Sequence, residues 1–116
     1  MQGDKHLAAH YSGVRAPLRP VYDAVAAVAL ALGDDVTVMP KREYVTFVRR
    51  RQFAVIQPGD RGEVELLLCL GDVPAEGRLE EVDAHGGSLT HRIRLKTKGD
   101  VDAFVRTRLR RAYDKA

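Results

Sequence analysis

Between Glu43 and Leu95 the chain alternates apolar and polar residues in four separate stretches, two pairs of them joined by gaps no longer than a turn. Glu43–Arg49 sets Val45 and Phe47 on one side, with Tyr44, Thr46 and Val48 on the other. Gln52–Gln57 sets Phe53 and Val55 opposite Ala54 and Ile56. Glu63–Leu70 lines up Val64, Leu66, Leu68 and Leu70, with Glu65, Leu67 and Cys69 behind them. Leu89–Leu95 places Leu89, His91, Ile93 and Leu95 against Thr90, Arg92, Arg94 and Lys96. A period of two marks a strand with one buried face. The basic run Arg49–Arg51 and the turn Pro58-Gly59-Asp60-Arg61-Gly62 are hairpin connections, whereas a parallel crossover needs a dozen or so residues. The sheet is therefore expected to be mostly antiparallel.

Val36–Met39, ended by Pro40, and Leu79–Val82 are shorter candidates, which makes four or five strands. The rest of 71–88 reads as loop, rich in Gly, Pro and Asp. Two helices precede the strands. Leu7 and Tyr11 lie one turn apart in Asp4–Tyr11, which stops at Gly13. Leu18, Val21, Tyr22, Val25, Val28, Ala29 and Leu32 form one apolar stripe, so residues 17–32 are expected to be helical. Pro17 and Pro20 fall in the first turn, and Gly33 suits a left-handed stop. At the other end, Thr97-Lys98-Gly99-Asp100 has capping-box spacing, and Val101, Phe104, Val105, Leu109, Ala112 and Tyr113 follow at helical intervals. The expectation is an α+β domain: a four- to five-stranded, mostly antiparallel sheet with two N-terminal helices and one C-terminal helix packed on one face. At 116 residues the chain, 1–116, makes one domain.

The longest apolar run, around Ala24–Leu32, is too short to cross a bilayer, so no membrane partner is expected. Asp4, Lys5 and His6 interrupt any signal-peptide core, and one cysteine makes no internal disulfide. A cytoplasmic location follows as the expectation. The net charge of +3 conceals a pattern: residues 41–51 carry +4, residues 60–83 carry −6, and residues 89–98 carry +4 again. The chain has 14 Arg and 5 Lys, a bias that a GC-rich genome also produces without selection for binding.

The stretches Pro40-Lys41-Arg42-Glu43-Tyr44-Val45-Thr46-Phe47 and Phe53-Ala54-Val55-Ile56-Gln57-Pro58 resemble a small bacterial family, domain of unknown function 5655. The tail Thr90-His91-Arg92-Ile93-Arg94-Leu95, with Asp100-Val101-Asp102 and Ala112-Tyr113, is similar to the end of the same pattern. The resemblance runs from about Tyr11 to Tyr113. It implies a domain that often closes longer bacterial proteins, some labelled predicted transport proteins, and it implies no mechanism.

Candidate chemistry is sparse. His6 and His10 share the i, i+4 spacing of a zinc-binding helix, but Leu7 stands where the zincin motif needs Glu. Cys69 sits between Leu68 and Leu70, where burial disfavours the thiolate. Gly86-Gly87-Ser88 lacks phosphate-loop spacing, and Glu80, Glu81 and Asp83 match no calcium loop. No metal or other cofactor is expected. His91 points with the apolar residues of its strand, either as a packed histidine or as the centre of a cleft with Tyr44 and Lys41. The basic segments make the larger constellation. If strand 89–95 lay beside strand 43–49, Lys41, Arg49, Arg51, Arg92 and Arg94 would share a basic sheet face, with Tyr44 to stack on a base.

The leading expectation is a non-catalytic binding or accessory module that presents this face to nucleic acid or another polyanion. The alternatives are a small enzyme or small-molecule receptor built around Tyr44, Lys41 and His91, and a protein-interaction module that forms homodimers or serves a larger protein.

Overall fold

The structure, a computed structural model, describes residues 2–59, 61–82 and 88–116. Its helices are α1 (Gln2–His10), α2 (Arg19–Ala31) and α3 (Ala103–Lys115), and its strands are β1 (Thr37–Pro40), β2 (Val45–Val48), β3 (Gln52–Pro58), β4 (Val64–Leu68), β5 (Glu80–Glu81) and β6 (His91–Leu95). They form one antiparallel sheet in the order β1-β2-β3-β4-β6-β5. The class is the expected one, with six strands because both short candidates pair at the edges. Helices α2 and α3 cover one face, and α1 lies against β1. The opposite edge is only two residues long, which limits the backbone it offers to another chain. No helix among the described residues is long and apolar enough to cross a membrane.

The core lies between the helices and a single face of the sheet. Val45 and Phe47, Ala54 and Ile56, Val64, Leu66 and Leu68, and His91, Ile93 and Leu95 follow one another across the register. All are buried, as are Val21, Val25 and Ala29 of α2 and Val105, Leu109 and Ala112 of α3. One alternation differs from expectation. The β2–β3 register slips after Phe47, pairing Phe47 with Ala54 but Val48 with Gln52, so Phe53 is the extra residue of a bulge. Phe53 thereby joins Ala54 and Ile56 in the core, edge-on to Tyr113 at 5.8 Å, while Val55 stands on the other face.

Local chemistry adjusts three boundaries. Without N–H groups, Pro17 and Pro20 cannot extend a regular ladder backwards, and residues Gly13–Leu18 form a 3-10 turn before α2 begins at Arg19. Asp100 accepts the N–H groups of Lys96 and Thr97 at 2.8 and 3.1 Å, which closes a 3-10 turn; α3 starts later, capped by Asp102. Gly33 is not in the left-handed region. A glycine is needed there because a Cβ would overlap the Tyr113 hydroxyl.

Candidate functional site

The first basic segment is split by the fold. Lys41 and Arg42 lie in the β1–β2 turn, where the Lys41 N–H donates to the Tyr44 carbonyl at 2.7 Å. Arg49–Arg51 form the β2–β3 tip, at the other end of β2. Tyr44, 37% exposed, therefore accompanies Lys41 and not the arginine tip.

The second basic segment is not beside the first. Strands β3 and β4 lie between β2 and β6, which puts those strands about 14 Å apart at ordinary spacing. A shared basic face of Lys41, Arg49, Arg51, Arg92 and Arg94 does not form. Arg92 instead meets Glu65 at 3.6 Å and Glu80 at 3.2 Å. Arg94 meets Glu63 at 3.6 Å and the same Glu80 at 3.2 Å. The register produces this: Glu65 stands opposite Arg94 and Glu80 opposite Arg92. The acidic segment thus folds onto the basic one.

The open sheet face consequently carries a row of Met39, Thr46, Val55 and Leu67 leading into the Arg92–Glu80 pair. Thr46 and Val55 are shielded by their neighbours, and the Thr46 hydroxyl bonds Gln52 at 2.7 Å.

His91 is 1% exposed and fully engaged. Its Nε2–H donates to the Val73 carbonyl at 2.7 Å, so Nδ1 is the acceptor and takes the Thr90 hydroxyl proton, also at 2.7 Å. The Thr90 oxygen in turn accepts the N–H groups of Leu70 and Gly71. The imidazole ties the 70–73 loop to β6. A cleft joining it to Tyr44 and Lys41 does not form, because two strands separate them.

The β2–β3 tip has a fixed root and an open crown. Arg49 donates through Nε to Asp35 at 2.9 Å and through a terminal nitrogen to the Tyr113 carbonyl at 3.0 Å, and lies 4.1 Å over the Tyr113 ring. The Tyr113 hydroxyl donates to the same carboxylate at 2.6 Å. That bond, then Arg49, holds the Asp35 carboxyl below the usual range, and the same bond, then burial, pushes the Tyr113 phenol up against the opposing pull of Arg49. Arg50 and Arg51 are exposed, and neither is in an ion pair among the described residues. Beside them is a cavity of about 180 Å3, lined by Arg51, Gln52, Phe53, Cys69, Ser88 and the α3 residue Lys115, with no acidic side chain. Burial pushes the Cys69 thiol up, partly offset by its 3.3 Å contact with Ser88 and by Arg51. Arg111, one turn before Lys115, is also exposed. Arg111 and Lys115 had no place in the sequence-based constellation, since nothing in the sequence says that α3 ends at this hairpin.

Among the described residues no three His, Cys, Asp or Glu side chains converge as metal ligands. His10 bonds the Arg42 carbonyl through Nε2 at 2.9 Å. The Gly86–Gly87 turn and Asp83 lie outside the described residues.

The class is a small α+β domain with a one-sided antiparallel sheet. The chain belongs to the family of the domain of unknown function DUF5655, whose model matches residues 7–116. No curated protein and no solved structure matches it.

Proposed function

We propose that the domain is a non-catalytic binding module that takes a polyanion, nucleic acid or another phosphate-bearing partner, at the β2–β3 end of the sheet. The observation that carries this is the meeting of Arg51 and Lys115 on the wall of a cavity with no acidic side chain, with exposed Arg50 next to Arg51 in the chain and exposed Arg111 one turn before Lys115. Arg92 and Arg94 contribute little, because Glu63, Glu65 and Glu80 already neutralise them. Arg49 has a supporting role as the anchor of the tip. Cations that are hydrated rather than paired gain affinity by releasing counterions from phosphates, which makes binding depend on salt.

The test is a salt titration of binding to a single-stranded oligonucleotide. Each cation engaged contributes about 0.7 to the log–log salt slope, so four give a slope of about −3. The double variant Arg51→Ala/Lys115→Ala should lower its magnitude by about 1.4. Absence of binding at low salt, or a slope untouched by that variant, rejects the proposal.

A further inference from the structure

Helix α2 and its cap carry no polar side chain from Ala24 to Leu32. A surface helix ordinarily turns a polar face outward, and one that is apolar all round is covered on every side. The inner side of α2 obeys this rule, with Val25 and Ala29 at 0% exposure in the core. The outer side does not. Ala27, Leu30 and Ala31 are exposed, and Val28 and Leu32 are half-buried. Ala27, Val28, Ala31 and Leu32 line a groove of about 360 Å3 together with Arg106 of α3. The two alanines leave it open, since their side chains are single methyl groups. Arg106 is exposed and in no ion pair among the described residues; the pairs on α3 use Arg108 and Arg110. No acidic side chain lines the groove. Its surface is thus apolar with one unmatched positive charge.

We propose that this groove docks an acidic amphipathic helix of a partner protein. Apolar side chains one turn apart on that helix enter beside Ala27 and Ala31, and a carboxylate on its flank meets Arg106. Charge decides against a second copy of this chain, which would bring another unmatched Arg106 and no acid from its own groove. Size decides the same way. The groove extends little more than one turn of α2, whereas a stable interface takes about 20–30 residues from each partner. A bilayer surface is met by large protruding apolar side chains, and this lining is half alanine where it is apolar. The groove shares no residue with the cavity at the β2–β3 tip, so the inference stands apart from the polyanion reading.

The probe is a synthetic peptide of about 15 residues, long enough for a helix, with leucines one turn apart on one face and glutamates on the others. Added to the intact chain, it should shift the backbone amide resonances of Ala27, Ala31 and Arg106. A scrambled peptide, whose leucines share no face, should bind about tenfold more weakly or worse, the value of one buried leucine. Ala27→Gln/Ala31→Gln fills the groove at exposed positions where glutamine keeps the helix, and should abolish binding. Arg106→Gln should weaken it about two- to fivefold, and Arg51→Ala/Lys115→Ala should leave it unchanged. The proposal is overturned if those three resonances do not move, if the scrambled peptide binds as well, or if Arg106→Gln has no effect. Loss of the peptide in Arg51→Ala/Lys115→Ala also overturns it, since the acid is then taken at the tip. So does release from anionic lipid vesicles, or dissociation of a dimer in sedimentation, on Ala27→Gln/Ala31→Gln, because the groove then serves a membrane or a second copy. Oligonucleotide binding should be unchanged in that variant, which keeps a failure here distinct from a failure at the tip.

Discussion

Replacing His91 separates a histidine that holds the fold from one that performs chemistry. In His91→Leu the apolar side chain fills most of the imidazole's space, but the half-buried Val73 carbonyl loses its 2.7 Å donor. Thr90 is less affected, since the Leu68 carbonyl at 3.4 Å offers its hydroxyl another acceptor. One orphaned carbonyl, partly reachable by water, costs about 1–2 kcal/mol. His91→Ala loses the packing as well and should cost about 2–4 kcal/mol. For a chain of this length 1 kcal/mol moves Tm by about 4 °C, so the leucine variant should melt about 4–8 °C lower. Urea unfolding followed by circular dichroism measures both, with an unchanged m-value expected. If His91→Leu unfolds within 0.5 kcal/mol of the parent, the two short bonds are not what keeps this histidine in the core.

Three further outcomes follow from the side-chain geometry. The Asp35 carboxyl titrates below its unfolded value near 3.9, so its stabilisation is present above that pH and is lost as pH falls through the lower folded value. Tyr113→Phe should therefore flatten the decline of Tm between about pH 5 and 2.5, and an unaltered decline would show that this bond does not contribute. Cys69, with its thiol pushed up by burial, should react with a disulfide reagent at pH 8 far more slowly in the native protein than in urea. Equal rates would mean an accessible thiolate. Glu65→Gln/Glu80→Gln should release Arg92 and, in part, Arg94, steepening the oligonucleotide salt slope by up to about 1.4. No change in slope would mean that those arginines are not held in check by charge.

The elements were legible because their periodicities are local. The stripes of α2 and α3 and the alternation in β2, β4 and β6 need only the sequence neighbours of each residue. The bulge at Phe53 was not legible, since it results from Phe47, Phe53 and Tyr113 packing together across the fold. Gly33 shows the same limit from the other side: a glycine after a helix suggests a left-handed turn, but its actual constraint is Tyr113, eighty residues away. The candidate site depended on strand order, which alternation does not encode. With β4 inserted between β3 and β6, the segment carrying −6 pairs with the second one carrying +4, and a face expected to be cationic becomes nearly neutral. The charge blocks were therefore informative about which segments meet, and misleading about what remains exposed.

The root of the β2–β3 tip bears on how any ligand would be held. A two-residue overhang rich in arginine would ordinarily sample many arrangements and lose that freedom on binding. Here Arg49 is fastened to the loop after α2 through Asp35 and to the end of α3 through the Tyr113 carbonyl. Arg50 and Arg51 therefore leave the sheet from an origin that two other parts of the chain hold in place. Part of the ordering that recognition of a polyanion would require has been completed by folding, and under the proposed function the tip would meet a partner as a shaped surface and not as a mobile tail.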